Sequence, residues 1–415
     1  MMGMTSQVPV LEYAQDTRDL TLLVITPDFP DRDQRYIGSI YVKNQIEPLK
    51  KIFKQIIVIC PVLFSLRLLP NDRYCSDYQY DNVKVYYPRC FFLPRSLPIP
   101  FMSNKQKMSF DRRYSEVRRL IAKENMHFDL IHAHFTWPSA AIAVRLKEEY
   151  HVPVVATLHE DSGWLSEEID ENYPQITGAW EKADALIRVN KKDIPILQKF
   201  NTIVYAVPNG FAPEYTPMDM HECRRTTGLS AEKKILFTFG DILERKGFQH
   251  LIDAMKILSD KRNDILCVIS GKGRYKSSLI TKIKRLDLED TVILLDYIPT
   301  EKMPVWINSA DMFVFPSLQE SFGIVQVEAL ACGKPVIAAR NAGSIEVIAS
   351  NDVGILCEPG SGAALAEAIA CGLERSWDPA KILKYAQQYR WDTIAGDLVR
   401  IYTTVLAEKL KAQGT

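Results

Sequence analysis

Short, continuous runs of apolar residues recur along the chain, and longer stretches with helical periodicity separate them. Apolar runs of this kind are typical of parallel strands that are buried on both faces of a sheet. The strands predicted in the first half are Leu20–Ile25, Ile56–Cys60, Val83–Tyr87, Leu130–His134, Val152–Leu158, Ala185–Val189 and Ile203–Val207. Those predicted in the second half are Ile235–Phe239, Ile265–Ser270, Val292–Leu295, Met312–Phe315, Val336–Ala339 and Gly354–Cys357. Helices are predicted at Phe110–Asn125, Phe248–Leu258, Ser277–Leu286 and Trp391–Leu410. The alternation of strand and helix predicts an α/β fold.

A cluster of turn-forming residues interrupts this pattern near the middle of the chain. The sequence P-N-G at 208–210 and the polar stretch after it predict a hinge between domains. A length of 415 residues also favours more than one domain. We therefore predict two doubly wound, Rossmann-like domains at 20–207 and 208–390. Residues 1–19 are expected to form a flexible tail, and residues 391–415 a final helix.

The composition narrows the classes of function. Lysine plus arginine and aspartate plus glutamate both total 51, so the formal net charge is zero and bulk binding of nucleic acid is not expected. The 8 cysteines are scattered without a C-x-x-C pair, which indicates reduced core residues of a cytoplasmic protein. The sequence shows no signal peptide and no apolar run of membrane-spanning length, so any membrane contact is expected to be peripheral.

The richest chemical signal follows the predicted strand Met312–Phe315. A polar loop carries Glu320, and a helix then opens at about Phe322-Gly323 and carries Glu328. A helix N-terminus at the carboxyl end of a strand offers free backbone N–H groups and partial positive charge, which suit a phosphate. The two carboxylates can accept hydrogen bonds from hydroxyl groups. Phosphate and hydroxyl groups side by side describe a nucleotide sugar.

The spacing of Glu320 and Glu328, with Phe322-Gly323 between them, resembles the signature of the large retaining glycosyltransferase family 4. Members of that family have the GT-B fold, in which two doubly wound Rossmann-like domains face a central cleft. The resemblance implies that the N-terminal domain binds the acceptor and that the C-terminal domain binds the nucleotide-sugar donor. It also implies that the final helix crosses back onto the N-terminal domain.

The resemblance assigns roles to individual residues of the second domain. It implies that Glu320 binds the hydroxyls of the donor sugar and that Glu328 binds the ribose hydroxyls. The backbone implied to hold the diphosphate comprises Ser321, Phe322, Gly323 and Ile324. No cofactor is expected, because the nucleotide sugar itself, a UDP or GDP sugar, is the donor substrate.

A basic loop between a strand and a helix is the second expected part of the donor site. The family pattern is close to G-R-x-x-x-x-K-G, and Gly240, Lys246 and Gly247 match it. A lysine can reach a diphosphate as a point charge, and Arg245 could add a fork of donors. Asp241 stands where the family has arginine. An acid there repels phosphate, so either Arg245 takes over the role or Asp241 points away.

Three candidates lie in the first domain. His159 follows the strand Val152–Leu158 and matches the T-x-H sequence of the family, which implies a place near the sugar and the attacking hydroxyl. The alternative for a lone histidine is a capping or buried side chain. By the same resemblance Asp161 contacts the acceptor, and Gly38 lets the backbone approach the donor.

Two further motifs have simpler explanations. His132 and His134 share one face of a strand and could form half of a metal site, but no third ligand is apparent from spacing. The resemblance implies chemistry without a divalent metal. The G-x-G at 271–273 lacks a third glycine and a ribose-binding acid, so a tight strand-to-helix turn is favoured over a dinucleotide site.

Residues 89–119 combine an apolar, proline-rich segment with a basic stretch. Aromatic residues beside a basic helix suggest contact with a membrane surface at the inner face of the cell membrane, and with it a lipid-linked acceptor. The alternative is a loop that packs on the domain, followed by a solvated helix. A glycan acceptor fits either interpretation.

We expect transfer of a sugar to a hydroxyl acceptor with retention at the anomeric carbon, in the synthesis of a glycan, polysaccharide or glycolipid. The alternatives are a glycosidase that uses Glu320 and Glu328 as an acid/base pair, a sugar-nucleotide epimerase of the GT-B class, and a non-catalytic binding subunit. The last of these is motivated by Asp241.

Overall fold

The computed structural model describes residues 17–64, 75–91, 105–170 and 174–413. The described chain forms two compact units. Unit 1 contains the residues up to 160, 164–208 and those from 391 onward, whereas unit 2 contains 161–163 and 209–390.

Unit 1 is built on an eight-stranded sheet and a separate pair of strands. The strands are β1 Thr21–Ile25, β2 Gln55–Ile59, β3 Val62–Phe64, β4 Tyr78–Tyr80, β5 Val83–Tyr86, β6 Arg89–Phe91, β7 Leu130–His134, β8 Val154–Leu158, β9 Ala185–Arg188 and β10 Val204–Ala206. The order in the large sheet is β10-β9-β8-β7-β1-β2-β5-β4, and β3 pairs with β6. The pairing of β4 with β5 is antiparallel, and the other pairs described here are parallel.

Unit 2 contains a six-stranded parallel sheet. Its strands are β11 Lys234–Phe239, β12 Ile265–Ser270, β13 Val292–Leu295, β14 Met312–Phe315, β15 Val336–Ala339 and β16 Gly354–Cys357. The order is β13-β12-β11-β14-β15-β16, so the chain moves outward from β11 in one direction and then returns to its other side.

The α-helices connect these strands in the order expected of an α/β fold. They are α1 Ile40–Leu49, α2 Lys105–Lys123, α3 Ala141–Tyr150, α4 Ser162–Asp170, α5 Pro174–Lys182, α6 Ile194–Leu197, α7 Met220–Thr227, α8 Phe248–Ser259, α9 Lys276–Arg285, α10 Met303–Asn308, α11 Ile324–Ala331, α12 Ala342–Val347, α13 Gly362–Glu374, α14 Pro379–Ala386 and α15 Trp391–Gln413.

The final helix, α15, is part of the core of unit 1. Its buried side chains recur at helical spacing and pack with the apolar residues of β1 and β2. They include Trp391, Ile394, Leu398, Tyr402 and Val405. Burial of each such side chain stabilises the unit by roughly 1.5–3 kcal/mol, so these contacts hold α15 against β1 and β2.

The predicted α/β fold with two Rossmann-like domains is confirmed. Each apolar run predicted as a strand forms one of the strands of the two large sheets. The strands β3, β4 and β6 were not predicted, since three residues are too few to show a period. The predicted helix Phe110–Asn125 begins earlier, at Lys105, and ends at Lys123.

Each large sheet has a point where the direction of strand addition reverses. In unit 2 it lies between β11 and β14, and in unit 1 between β1 and β7. Ligands of open parallel sheets bind outside the carboxyl ends of the strands at such a point. The topology therefore predicts ligand sites at two pairs of loops, those after β11 and β14 and those after β1 and β7.

Candidate active site

The loops after β11 and β14 bring two sequence-predicted residues into direct contact. Lys246 ends the short 3₁₀ turn Glu244–Lys246, and Glu320 lies in the loop before α11. The Nζ atom of Lys246 lies 2.6 Å from Oε2 of Glu320, and each side chain is 17% exposed. The Ser317 hydroxyl also lies 3.5 Å from Oε2 of Glu320. A cation and an acceptor of hydroxyl hydrogen bonds thus share one small site.

A glycine allows the two loops to approach so closely. Gly247 has a φ angle of 72°, and a Cβ atom built there would lie 1.9 Å from the carbonyl oxygen of Pro316. The backbone N–H of Leu318 donates to the carbonyl oxygen of Arg245 at 2.8 Å. The backbone of the Lys246 loop is therefore joined directly to that of the Glu320 loop.

Backbone packing also holds the N-terminus of α11. Gly323 has a φ angle of 79° and immediately precedes the helix. A Cβ atom at Gly343 would lie 2.4 Å from the carbonyl oxygen of Phe322, and the N–H of Gly343 donates to the carbonyl oxygen of Glu320 at 3.1 Å. Ser321 and Phe322 are buried. The first N–H groups of α11 are thus presented by a rigid loop directly after Glu320.

Glu328, on α11, lies in an unusual environment for a carboxylate. It retains some exposure, but desolvation by its surroundings raises its pKa to about 8. The Tyr215 side chain makes a hydrogen bond with Glu328, and the neighbouring Glu214 adds like-charge repulsion. A partner that donates hydrogen bonds to the charged carboxylate, such as a diol, would lower that pKa.

The loop after β1 is pinned in unit 1. Gly38 has a φ angle of 48°, and a Cβ atom there would lie 2.8 Å from Oδ1 of Asp28. The Tyr36 hydroxyl donates to that carboxylate, whose pKa is raised by burial. The backbone N–H of Tyr36 donates to Oδ1 of the buried Asp31 at 2.6 Å. Gly38 therefore lies in a turn held by hydrogen bonds, and because glycine has no side chain, its backbone can be approached closely.

His159 lies at the end of β8 in contact with a second histidine. Its Nε2 atom is 3.0 Å from Nδ1 of His134, at the end of β7. The Tyr41 ring lies on another side, with 5.0 Å between the ring centroids. Burial lowers the pKa of His159 to about 3, helped by the nearby Arg188 guanidinium. His159 is therefore a neutral imidazole at physiological pH.

Two family models together match most of the chain. The model for glycosyl transferases group 1 matches residues 219–389, and the model for glycosyltransferase family 4 matches residues 73–215. The chain belongs to glycosyltransferase family 4. It is a nucleotide-sugar-dependent glycosyltransferase of glycan biosynthesis, so the predicted family and the predicted reaction class are confirmed.

Similar proteins fit this assignment. The chain is 26% identical over 383 residues to the putative teichuronic acid biosynthesis glycosyltransferase TuaC of Bacillus subtilis, covering 87% of this chain and 91% of that protein. It is 29% identical over 308 residues to the N-acetyl-alpha-D-glucosaminyl L-malate synthase of Bacillus anthracis, covering 71% of this chain and 79% of that protein.

Solved structures share the fold. Sucrose-phosphate synthase from Thermosynechococcus elongatus has a TM-score of 0.74 at 20% identity, covering 94% of this chain and 100% of that chain. The Anabaena protein Alr3699/HepE, solved in complex with UDP, has a TM-score of 0.70 at 20% identity, covering 93% and 100%.

Asp241, which stands where the resemblance places an arginine, is exposed. Gly240 just before it has a φ angle of 149°, and its carbonyl oxygen lies 1.9 Å from where a Cβ of Gly271 would be. A Cβ at Gly273 would lie 2.2 Å from the carbonyl oxygen of Ile242. The G-x-G motif therefore serves close packing between the loops after β11 and β12.

Arg245 lies close to Glu320, the residue predicted to bind the donor sugar. Its Nη1 atom lies 3.4 Å from the carbonyl oxygen of Gln319 and 3.9 Å from Oε2 of Glu320. It also lines a cavity of about 810 Å³ together with Arg274 and Leu318. Arg245 is thus close enough to Lys246 to add positive charge to the same site.

The histidine pair of β7 is not arranged as a metal site in the described part of the chain. The rings of His132 and His134 are tilted at 38° to each other, with their centroids 4.3 Å apart. No group of three or more His, Cys, Asp or Glu side chains within residues 17–64, 75–91, 105–170 and 174–413 is placed to hold a metal ion.

Sequence reasoning missed several residues of the site. Tyr41 and Tyr402 carry no motif, and Tyr402 reaches His132 from 270 residues away in sequence. Asp161 immediately precedes α4 and is half-buried. Its predicted place in the first domain is wrong, because 161–163 pack with unit 2, and its role in acceptor contact stays a prediction. Unit 2 brings Arg245, Lys246 and Glu320 together, whereas Gly38 and His159 belong to unit 1.

The segment suggested for membrane contact is only partly described. Residues 92–104 lie outside the described residues. On α2, Arg118 lies 2.6 Å from Glu149 and Arg119 lies 2.6 Å from Glu116. Neutralised cations reduce the positive field that would attract an anionic surface. None of the helices in the described ranges is both long and apolar enough to span a membrane.

Proposed function

We propose that the enzyme is a retaining, metal-independent glycosyltransferase that moves a sugar from a UDP or GDP sugar to a hydroxyl acceptor. The observation that carries the proposal is the 2.6 Å contact between Lys246 and Glu320 beside the N-terminus of α11. The contact supports the proposal because a lysine suits a phosphate group, a carboxylate suits sugar hydroxyls, and the free N–H groups of α11 follow directly after Glu320.

The donor diphosphate is held by Lys246, with Arg245 nearby, and by the backbone of Ser321, Phe322, Gly323 and Ile324. Glu320 accepts hydrogen bonds from the sugar hydroxyls. The ribose hydroxyls donate hydrogen bonds to Glu328. These bonds stabilise the charged carboxylate and lower its raised pKa.

Transfer proceeds on one face of the sugar. The bond between the anomeric carbon and the phosphate oxygen breaks, and the negative charge that develops on the diphosphate is stabilised by Lys246 and the α11 N-terminus. The acceptor oxygen bonds to the anomeric carbon from the same side. Its proton passes to the departing phosphate oxygen, and a nucleoside diphosphate is released. Retention follows because entry and departure share one face.

His159 acts as a neutral hydrogen-bonding group for the donor sugar and the attacking hydroxyl. Its low pKa rules out a cationic role at physiological pH. Gly38, in its pinned turn, lets the donor approach the backbone, and Asp161 contributes to the acceptor. The acceptor is a glycan or a lipid-linked glycan, consistent with a relative named for teichuronic acid biosynthesis.

The donor nucleotide is most simply a uridine diphosphate. Alr3699/HepE, which shares the fold, was solved in complex with UDP-glucose. Charge neutralisation by a lysine, an arginine and a helix N-terminus makes a divalent ion unnecessary for departure of the diphosphate.

The test is a panel of nucleotide sugars, with release of nucleoside diphosphate and the anomeric configuration of the product followed by NMR. We expect release from one donor, retention in the product, and full rate in excess EDTA. Glu320→Gln should lower kcat about 100-fold. Glu374→Gln, a change at an exposed glutamate on α13, is the control and should leave kcat unchanged. An inverted product, or wild-type kcat in Glu320→Gln, would show the assigned chemistry to be wrong.

A non-catalytic binding role is the second candidate, because Asp241 replaces the arginine of the family. In that case calorimetry would detect nucleoside diphosphate binding while no donor in the panel is turned over. Asp241→Arg would then be expected to tighten binding.

Association with the inner face of the cell membrane through residues 89–119 remains part of this proposal. Flotation with anionic liposomes tests it, using a variant in which residues 92–104 are replaced by Gly-Ser repeats. Equal flotation of the variant and the wild-type protein would remove the idea.

A further inference from the structure

Two buried histidines of unit 1, His132 and His134, form a row with the proposed catalytic histidine, His159. His132 and His134 lie on β7, each 1% exposed, with ring centroids 4.3 Å apart. His134 then stacks on His159 at 5.3 Å with an interplanar angle of 15°. The ring planes of His132 and His134 are tilted by 38°. Hydrogen bonds at the ring nitrogens add a constraint on how each ring is turned.

His132 has a partner at each ring nitrogen. The hydroxyl of Tyr402, from α15, lies 2.7 Å from Nδ1, and the hydroxyl of Thr157 lies 2.7 Å from Nε2. Burial lowers the pKa of His132 to about 3, so the ring is neutral and carries one donor and one acceptor. Both are engaged, and the ring cannot turn without losing a buried hydrogen bond.

The contact between His134 and His159 couples their tautomers. Burial and the neighbouring imidazoles lower the pKa of His134, and burial lowers that of His159 to about 3. Two neutral imidazoles can share the 3.0 Å contact from Nδ1 of His134 to Nε2 of His159 only if one nitrogen is protonated and the other is not. The state of His134 therefore decides whether Nδ1 of His159 donates or accepts.

We propose that His134 is a positioning residue of the transferase, which fixes the ring orientation and tautomer of His159. Tyr402 holds the row in place through His132, so that α15 contributes to the geometry of the site. The consequence for catalysis rests on the role proposed above for His159, whereas the structural coupling does not.

The first test is spectroscopic and independent of activity. Nitrogen-15 chemical shifts of histidine distinguish the two neutral tautomers and their mixtures. We expect a single tautomer for His159 in the wild-type enzyme, a mixture in His134→Leu, and recovery of the single tautomer in His134→Asn. Asparagine places an amide group near the position of the imidazole Nδ1, whereas leucine places none there. An unchanged His159 signal in His134→Leu would overturn the proposal.

The second test is kinetic and uses the same variants in the full-length enzyme. We expect kcat to fall about 10- to 100-fold in His134→Leu with little change in the KM of the donor, and to recover most of that loss in His134→Asn. Equal loss in both variants, with wild-type Tm, would count against positioning. His159→Ala separates the two ideas, since wild-type kcat in that variant would refute the role of His159 while the tautomer measurement still decides the role of His134.

Tyr402→Phe examines the far end of the row. Removal of the hydroxyl should shift the His132 nitrogen signals and broaden those of His134. If neither signal moves, α15 does not support the row.

Discussion

Gly247 offers a sharp test of whether the close approach of two loops builds the donor site. A methyl group at this position would lie 1.9 Å from the carbonyl oxygen of Pro316, and non-bonded Cβ contacts essentially never fall below 3.0 Å. One of the two loops must therefore move relative to the other by ~1.1 Å or more. Gly247→Ala should thus separate Lys246 from Glu320, and a misplacement of about 1 Å in a catalytic site can cost on the order of 100-fold in rate.

Gly228 is a matched control for the backbone strain of this change. Its φ angle is 73°, against 72° at Gly247, but nothing lies within 4 Å of a Cβ built there. Both alanine variants pay roughly 1–2 kcal/mol for a left-handed conformation, and only Gly247→Ala adds the clash. We expect kcat/KM for the donor to fall about 100-fold in Gly247→Ala and to remain near wild type in Gly228→Ala. Both variants should lose Tm through backbone strain, and Gly247→Ala should lose more because of the added clash. Values of kcat/KM within about threefold of each other would refute the reasoning.

Three other changes follow from the structure. Lys246→Met keeps the length of the side chain but removes its charge, and kcat/KM for the donor should fall about 100-fold in steady-state assays, with Lys246→Arg as the charge-retaining control. Because the pKa of Glu328 is raised to about 8, its carboxylate forms as the pH rises through that value. Calorimetry should therefore show that nucleoside diphosphate binding by the wild type tightens up to about pH 9. Binding by Glu328→Gln should not change over the same pH range. The same shift lowers the stability of the fold as pH rises from the ordinary glutamate range towards 8, so Glu328→Gln should raise Tm at about pH 8. Arg188→Leu leaves Asp193 buried without its cation and should lower the free energy of unfolding in urea by about 3–5 kcal/mol, and the pair of changes Arg188→Leu with Asp193→Leu should recover much of it.

The parts that could be predicted from the sequence are those with a local signal. The long parallel strands are continuous apolar runs, and a helix that begins just after Glu320 follows from Gly323 and the apolar residues beyond it. The loop before α8 could be recognised from Lys246 and Gly247 by resemblance. That Lys246 and Glu320 touch could not be predicted, because it depends on β14 returning to the side of β11.

Other features depend on tertiary contacts that leave no pattern in the sequence. Tyr402 is one of several buried positions on α15, and nothing local distinguishes it from an ordinary core residue. Its hydroxyl can be recognised as a partner of the histidines only in the structure, where it lies 2.7 Å from Nδ1 of His132 on β7. In the same way, the neutral state of His159 is a consequence of burial and cannot be read from the motif T-x-H.

The two switch points handle charge in opposite ways, and this matches the two demands of the reaction. In unit 2, Lys246 pairs with Glu320, and Arg245 and a helix N-terminus lie nearby, an arrangement that suits a leaving diphosphate. The site in unit 1 keeps its histidines neutral by burying them, so that His159 can donate or accept one hydrogen bond without attracting phosphate. Under the role proposed above, burial suits His159 to hydroxyl recognition, and loss of Tyr402 or His134 should disturb its hydrogen bonding before it lowers the stability of the fold.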